Sequence, residues 1–192
     1  LPSIVETERR PLRSEDLSGF HFTPTLDWAD AFPEFWSPGE VGATQALERF
    51  IDGEPAAYPQ RRDFPGRPGV SRLSPHLAFG EVAPHRVLFE FSRAFSGDGP
   101  WQANAFVTEL GWREFANDLL FHFPHTAECP LRPEFERFPW EENPEGWRAW
   151  TAGKTGYPIV DAGMRELWRS GWMHNRVRMI VASFLVKHLR IH

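Results

Sequence analysis

Apolar residues recur every three to four positions through most of residues 42–192, and no alternating pattern of strand length interrupts them. This periodicity predicts an all-α fold with long connections between its helices. Prolines, glycines and capping residues mark the ends of the helical segments. The predicted helices run from an N-cap at Thr44 to Gly53, from Ser74 and Pro75, from Pro84 to about Phe95, over residues 101–123, around Glu145–Thr151, from Pro158 to Gly171, and onward from a cap at Asn175.

Residues 1–41 have a different pattern and predict an extended connector before a helical domain of residues 42–192. Five prolines interrupt this segment, and no helical period persists for three turns. It is also rich in Phe and Trp, so we expect it to lie against the folded body. At the other end, the apolar helix after Asn175 reaches the last residue without a Gly or Pro stop. We therefore expect the natural polypeptide to continue and this helix to lack part of its packing partner.

Residue composition excludes several classes of function. The single cysteine, Cys129, allows neither an internal disulfide nor a cysteine metal cluster. His and carboxylate side chains do not stand at ligand spacing, so no metal site is predicted. The sequence has no signal-peptide pattern and no apolar run of about 20 residues. We expect a cytoplasmic protein that does not interact with a membrane.

The net charge of −5 argues against a nucleic-acid partner when it is taken alone, but the charge is unevenly distributed. Residues 1–60 carry four basic and eleven acidic side chains, whereas residues 165–192 carry six basic and one acidic. Such a basic stretch forms either a phosphate-binding face or an ordinary solvated helix surface. Nine Trp and 17 Phe supply a core and, in addition, flat surfaces suited to stacking of bases or a flavin.

The first candidate site is the loop YPQRRDFPGRPGVSRLSP, which starts at Tyr58 and ends at Pro75. Its glycines permit tight turns, and its hydroxyls and backbone N–H groups lead into a helix start. Exposed N–H groups at a helix start bind phosphate. Capping of the helix that begins near Ser74 is the alternative interpretation.

The second candidate site lies on one face of the long predicted helix, where Glu109, Trp112, Arg113 and Ala116 are spaced by three and four residues. An indole could stack on a planar ligand there, and the carboxyl group could hydrogen-bond it. The alternative is a surface ion pair between Glu109 and Arg113, with Trp112 in the core.

The third candidate site is the segment WMHNRVR, residues 172–178. It places Arg176 and Arg178 close to a helix N-terminus, where positive charge opposes the helix dipole. This arrangement favours a bound anion. We interpret His174 as a structural histidine.

At these three sites the sequence resembles class I DNA photolyases and their cryptochrome relatives. The matching stretches are YPQRRDFPGRPGVSRLSPHLAFGEV, ELGWREF with the following HFP, ERFPW, and GKTGYPIVDAGMRELWRSGWMHNRVRMIVASFLVKHL. The resemblance implies the multi-helical FAD-binding domain of that family, of which residues 42–192 form the first half. It also implies light-driven repair, in which reduced FAD passes an electron to a cyclobutane pyrimidine dimer flipped out of DNA.

The resemblance assigns site residues by position. FAD contacts fall on Tyr58, Val70, Ser71, Arg72, Leu73, Ser74, Phe106, Glu109, Arg113, Asn175 and Arg178. DNA contacts fall on Arg62, Glu109, Trp112, Asn175, Arg176 and Met179. Of these, Glu109 and Trp112 match the residues that hydrogen-bond the lesion and stack on it. Trp140 matches the outer member of a three-tryptophan chain that carries electrons to the flavin.

Two substitutions depart from the family pattern, because Val70 stands where Thr is common and Phe106 where Trp is common. The family also has an N-terminal α/β antenna domain and a C-terminal half of the helical domain, and the resemblance covers neither. We therefore expect this chain alone to hold little or no FAD and to be inactive, with those two parts of the same protein as its partners.

Two other functions remain open at this point. A cryptochrome would share the fold and FAD but would signal without repair, and it would need no platform such as Glu109 and Trp112 for a lesion. A non-enzymatic helical module would bind DNA through its basic C-terminal stretch, with strong salt dependence and no flavin.

Overall fold

The computed structural model describes residues 16–20 and 27–192, and the regular elements within these ranges are all helical. This confirms the predicted all-α fold. The α-helices are α1 (Gly39–Asp52), α2 (Tyr58–Arg61), α3 (Ser74–Ala78), α4 (Pro84–Ala94), α5 (Ala105–His122), α6 (Pro144–Thr151), α7 (Pro158–Ser170) and α8 (Asn175–Ser183). Short 3-10 turns lie at Leu17–Phe20, Asp27–Ala29, Phe32–Glu34, Pro55–Ala57, Trp101–Ala103, Pro124–Ala127 and Pro133–Arg137.

The helices that begin at a proline agree with the sequence prediction. Pro84, Pro144 and Pro158 each occupy the first position of a helix, where the missing N–H group costs nothing. Gly171 ends α7 in the left-handed conformation, with φ of 70°. Because glycine adopts this conformation without a steric penalty, it stops the helix where the sequence predicted.

Three predicted boundaries are wrong. Thr44 is not an N-cap, because α1 already begins at Gly39, whose N–H group donates to the Glu81 carboxylate at 2.7 Å. The segment 54–72, predicted as loop, contains a 3-10 turn and α2. The helix predicted from residue 101 starts at 105, because the Asn104 side chain accepts from the N–H group of Phe106 and caps it there.

The end of the chain also differs from the prediction. The helix that starts at Asn175 changes into a π-helical turn over Phe184–His188 and ends there, and Arg190 has a positive φ of 54°. The inner face of α8 is packed, because Val177 and Val181 are buried against α7. Its outer residues Met179 and Ile180 are exposed.

The described part of the predicted connector packs against the helical body, as expected. The indole N–H group of Trp36 donates to the Ser170 carbonyl at 2.5 Å, and its ring meets the His76 ring edge-on. The Phe32 ring lies beside Gly171, so the segment contacts both α3 and the end of α7. The connector residues 1–15 and 21–26 lie outside the described residues.

Two clusters of buried side chains hold the helices together. The first joins α1, α3, α4 and α5 around the buried ring of Phe91, which lies 5.0 Å from the Phe106 ring. The second joins α7 and α8 through the side chains Val160, Met164, Met173, Val177, Val181 and Phe184. The loop that carries α2 lies between the two clusters and bonds to both α5 and α8.

A close helix crossing makes Gly163 essential to the second cluster. A Cβ at this position would lie 2.4 Å from Cγ1 of Val177 and 3.1 Å from Cγ2 of Val181. We expect Gly163→Ala to lower the free energy of unfolding by about 1–3 kcal/mol, because Val177 has little rotamer freedom with which to move away.

The matched control is Gly111 in α5, where an added Cβ would meet nothing within 4 Å. There the same substitution should raise the free energy of unfolding by about 0.5–1 kcal/mol, because alanine favours the helix. Denaturant unfolding of both variants tests the contrast, and changes of the same sign would contradict it.

Candidate functional site

The two residues that follow the short helix α2 link the three predicted sites through ion pairs. Nη1 of Arg62 lies 2.6 Å from Oε1 of Glu109 on α5. The next residue, Asp63, accepts from Nε of Arg176 on α8 at 2.7 Å. Oδ1 of Asp63 also lies 3.6 Å from Nε of Arg62. These four side chains form a continuous chain of alternating charge, from Glu109 through Arg62 and Asp63 to Arg176, hereafter the ion-pair chain.

The local environment of Arg62 fixes its position. Its side chain is largely buried, and its guanidinium carbon lies 5.5 Å from the centre of the Tyr58 ring. Tyr58 packs edge-on against the Phe106 ring at 5.4 Å, and burial raises the pKa of its hydroxyl. Arg62 is therefore held by an aromatic face and two carboxylates, which keep it beside Glu109.

Glu109 and Trp112 both lie on α5, as predicted. The alternative interpretation, an ion pair between Glu109 and Arg113 with Trp112 in the core, is wrong. Glu109 pairs with Arg62 rather than with Arg113. Arg113 instead pairs with Glu114 and donates to the Leu77 carbonyl at 3.3 Å. Trp112 is 60% exposed and contacts Phe115 edge-on at 5.6 Å, so it is not a core residue. An exposed indole thus lies one helical turn from a carboxylate on α5.

The chain bends at Val70 and has no regular structure from there until α3 begins at Ser74. Arg72 has a positive φ of 54°, which is uncommon for a residue other than glycine, and its guanidinium carbon lies 4.3 Å from the centre of the Trp172 ring. Leu73 is buried in the first core cluster, and its N–H group approaches the Ser71 hydroxyl at 3.4 Å. Ser74 is exposed at the helix start.

The other residues expected to contact FAD differ in their surroundings, and Phe106 is buried. Phe106 is only 4% exposed and packs among Phe50, Tyr58 and Phe91. Arg178 donates to the Met173 carbonyl at 3.2 Å. Asn175 is exposed, but it is the first residue of α8 rather than its cap. The structure therefore brings Glu109, Arg62 and Arg176 together and leaves Phe106 in the core.

A cleft of about 540 Å³ runs along the other side of the loop. Its lining includes Arg49, Arg67, Arg72 and the indoles of Trp36 and Trp172. Guanidinium groups beside aromatic rings suit a planar anionic group such as a flavin dinucleotide. Among the described residues, its lining does not include the α5 face or the start of α8, so the three predicted sites meet at α2 without enclosing one common cavity.

His174, rather than Asn175, caps α8. Its Nδ1 accepts from the N–H group of Arg176 at 3.1 Å, so the proton of the neutral ring is on Nε2. The ring is 2% exposed, and Nε2 has no hydrogen-bond partner in the described part of the chain, although the Arg62 backbone lies near it. Burial holds the pKa of His174 below its ordinary value of 6.5, and Arg176 acts in the same direction.

This cap predicts a pH dependence of stability. The unfolded chain protonates His174 at a higher pH than the folded chain does, so the contribution of the neutral ring is complete above pH 6.5 and declines as the pH falls below it. His174→Asn should remove this slope while keeping the cap, because asparagine caps helices well and does not titrate. Free energies of unfolding between roughly pH 5 and pH 8 test this.

His85→Asn on the exposed surface of α4 is the control and should keep the wild-type slope. Equal slopes in wild type and His174→Asn would contradict the assignment.

Trp140 lies against the C-terminal residue, His192, in the folded chain. Its ring lies 4.5 Å from the Phe138 ring and 5.0 Å from the His192 ring. Within the described ranges, its ring contacts do not include another indole. Its role in electron transfer stays a prediction.

Asp63 and Trp172 are part of this geometry and lie in the predicted candidate segments, but the sequence analysis gave neither residue a role. Asp63 stands next to Arg62 in RRDFP, and an acidic residue inside a basic loop was a usable signal. Trp172 begins the WMHNRVR segment, but nothing in the sequence places it over Arg72. No helix of the described residues has the length and apolar character needed to cross a membrane.

The fold and the site define an all-helical protein with a cationic, aromatic surface suited to planar, anionic ligands. Residues 106–192 match the family model of the FAD binding domain of DNA photolyase. The deoxyribodipyrimidine photo-lyase of Agrobacterium fabrum is 49% identical over 180 residues, which cover 93% of this chain and 38% of that protein. Cryptochrome-1 of Sinapis alba is 40% identical over 161 residues, which cover 80% of this chain and 32% of that protein.

A solved structure gives the same result. The crystal structure of a bacterial class III photolyase from Agrobacterium tumefaciens superposes with a TM-score of 0.85 at 49% identity, covering 94% of this chain and 38% of that one. The chain belongs to the DNA photolyase and cryptochrome family. These relatives include a class III photolyase and cryptochromes, so they identify the family rather than the class I subgroup. The chain spans little more than a third of the length of the photolyases that it matches.

Proposed function

We propose that the protein carrying this chain is a deoxyribodipyrimidine photo-lyase, which uses light and reduced FAD to split cyclobutane pyrimidine dimers in DNA. The observation that carries the proposal is the exposed indole of Trp112 one turn from the Glu109 carboxylate, with Arg62 and Arg176 beside it. A flat aromatic surface, a hydrogen-bonding acid and two cations match the chemistry of a flipped base and its phosphates.

Each of these side chains has a distinct role in the proposed mechanism. Trp112 stacks on the dimer after it leaves the duplex and replaces part of the stacking that is lost. Glu109 accepts a hydrogen bond from a pyrimidine N–H group, and its ion pair with Arg62 holds the carboxylate in position. Arg176 and the exposed side chain of Met179 form the rim that contacts the DNA backbone.

FAD, when bound, supplies the electron that splits the dimer and receives it back. The residues that would hold it are those that the resemblance assigned, namely Tyr58, Val70, Ser71, Arg72, Leu73, Ser74, Phe106, Glu109, Arg113, Asn175 and Arg178. The exposed Ser74 hydroxyl and the backbone of Arg72, which has a positive φ, suit its phosphates. Ser74 begins α3, and Arg72 lies just before it. Trp140 would pass electrons toward the flavin. Action on DNA places the protein inside the cell.

A cryptochrome is the second candidate, because Cryptochrome-1 of Sinapis alba is among the relatives at 40% identity. Such a protein would bind FAD and respond to blue light without repairing DNA. The exposed Trp112 favours repair, since signalling alone gives no reason to keep an indole in water.

The deciding experiment is repair of thymine-dimer DNA under blue light by the natural polypeptide that carries this chain. We expect light-dependent loss of dimers, and a strong reduction in the Glu109→Ala variant at unchanged flavin content. Photoreduction of the flavin without any repair would favour the cryptochrome. DNA binding without flavin would favour a non-enzymatic DNA-binding module.

A further inference from the structure

Asp63 lies at the centre of the ion-pair chain, and the proposed repair reaction gives it no role. Its Oδ1 accepts from Nε of Arg176 at 2.7 Å and lies 3.6 Å from Nε of Arg62. Nη1 of Arg176 also approaches the Met179 sulfur at 3.7 Å. The carboxylate therefore occupies the guanidinium edge that a DNA phosphate would need, and its geometry resembles that of a bound phosphate oxygen.

Solvent exposure distinguishes the two arginines of the chain. The side chain of Arg62 is only 16% exposed and has Glu109 and Tyr58 as further partners, so it stays in place when Asp63 moves. Arg176 is 41% exposed and Asp63 48% exposed. Ion pairs that are this open to water contribute little and exchange partners readily. The Asp63–Arg176 pair is therefore the exchangeable member of the chain.

We propose that Asp63 is a built-in competitor for DNA phosphates at Arg176, which holds the guanidinium in the free protein and releases it when a duplex binds. The inference rests on the proposed DNA-binding role of Arg176. An acidic group at this place limits attachment to undamaged DNA, because every duplex must first displace it. Strong phosphate attraction alone would bind the protein all along the genome, since this attraction is independent of sequence.

The test measures the affinity of the natural polypeptide for undamaged duplex at fixed salt. Asp63→Asn should raise this affinity by about two- to fivefold, the value of one exposed ion pair. Asp63→Ala should give a similar rise. Asp63→Glu keeps a carboxylate at this position and should therefore keep the wild-type affinity. In an Arg176→Ala background, Asp63→Asn should have no effect, because the competition needs the guanidinium.

Glu54→Gln is the matched control. It removes the same charge and frees Arg61, the neighbour of Arg62 on α2, whose Nη2 lies 2.5 Å from the Glu54 carboxylate. Affinity should stay at the wild-type value there. A rise of equal size in Glu54→Gln, or a rise that persists without Arg176, would show a general charge effect and overturn the inference.

The two proposals can fail separately. If the wild-type protein repairs dimers and Asp63→Asn binds undamaged duplex no more tightly than wild type, only the role of Asp63 is overturned. Wild-type protein that binds no DNA, damaged or undamaged, would overturn the proposed function and this inference together.

Discussion

Replacing Trp112 by alanine is expected to weaken binding of dimer-containing DNA by about 5- to 150-fold and to leave binding of undamaged duplex almost unchanged. Loss of base stacking on an aromatic side chain costs about 1–3 kcal/mol, which corresponds to that range. Trp112 is 60% exposed, so its removal leaves no cavity in the core. Only a base that has left the duplex can reach its ring, because intact DNA keeps its bases stacked.

The measurement compares Kd values for matched duplexes with and without a thymine dimer, using the natural polypeptide. Trp168→Ala is the matched control, because Trp168 is also a largely exposed indole but lies on α7. It should leave both affinities unchanged. Arg176→Ala should instead weaken both kinds of DNA to a similar extent and reduce the salt dependence by about one phosphate contact. Equal losses for damaged and undamaged DNA in Trp112→Ala would exclude a lesion platform.

The helical fold was predictable because its signals are local. A proline at a helix start or a glycine at a helix end acts on its own turn, so Pro84, Pro158 and Gly171 define boundaries without any knowledge of tertiary contacts. The start of α1 was missed because its partner is distant. The N–H group of Gly39 is bonded by Glu81, which lies 42 residues along the chain.

The ion-pair chain could not be predicted for the same reason. Asp63 and Arg176 are 113 residues apart, and Glu109 has a closer candidate partner in Arg113 at helical spacing. Only the tertiary fold, which places Arg62 against α5 and Asp63 against α8, selects Arg62 for Glu109. The cap of α8 was misassigned by one residue, because His174 and Asn175 are adjacent and both side chains can accept a hydrogen bond.

One group of exposed apolar side chains lies along α5 and at its C-terminal end. Trp112, Phe115, Leu120, Phe121 and Phe123 are all exposed there. Five large apolar side chains along one stretch exceed the scattered exposure that is usual for a monomer. Such a surface favours self-association when nothing covers it.

The 192-residue chain by itself is expected to hold little or no FAD and to repair no DNA. A ligand of this size is normally enclosed over most of its surface. Here Phe106 is buried in the core, while the Glu109 face and the cleft along the Pro65–Arg72 loop do not form one cavity. We also expect the isolated chain to self-associate through the apolar surface of α5.

Absorbance in the flavin band after incubation with FAD, together with size-exclusion chromatography, measures both properties. The natural polypeptide, treated identically, is the control and should retain its flavin. Stoichiometric flavin in a monomer of the 192-residue chain would contradict the prediction, because it would show that these residues alone can enclose the cofactor.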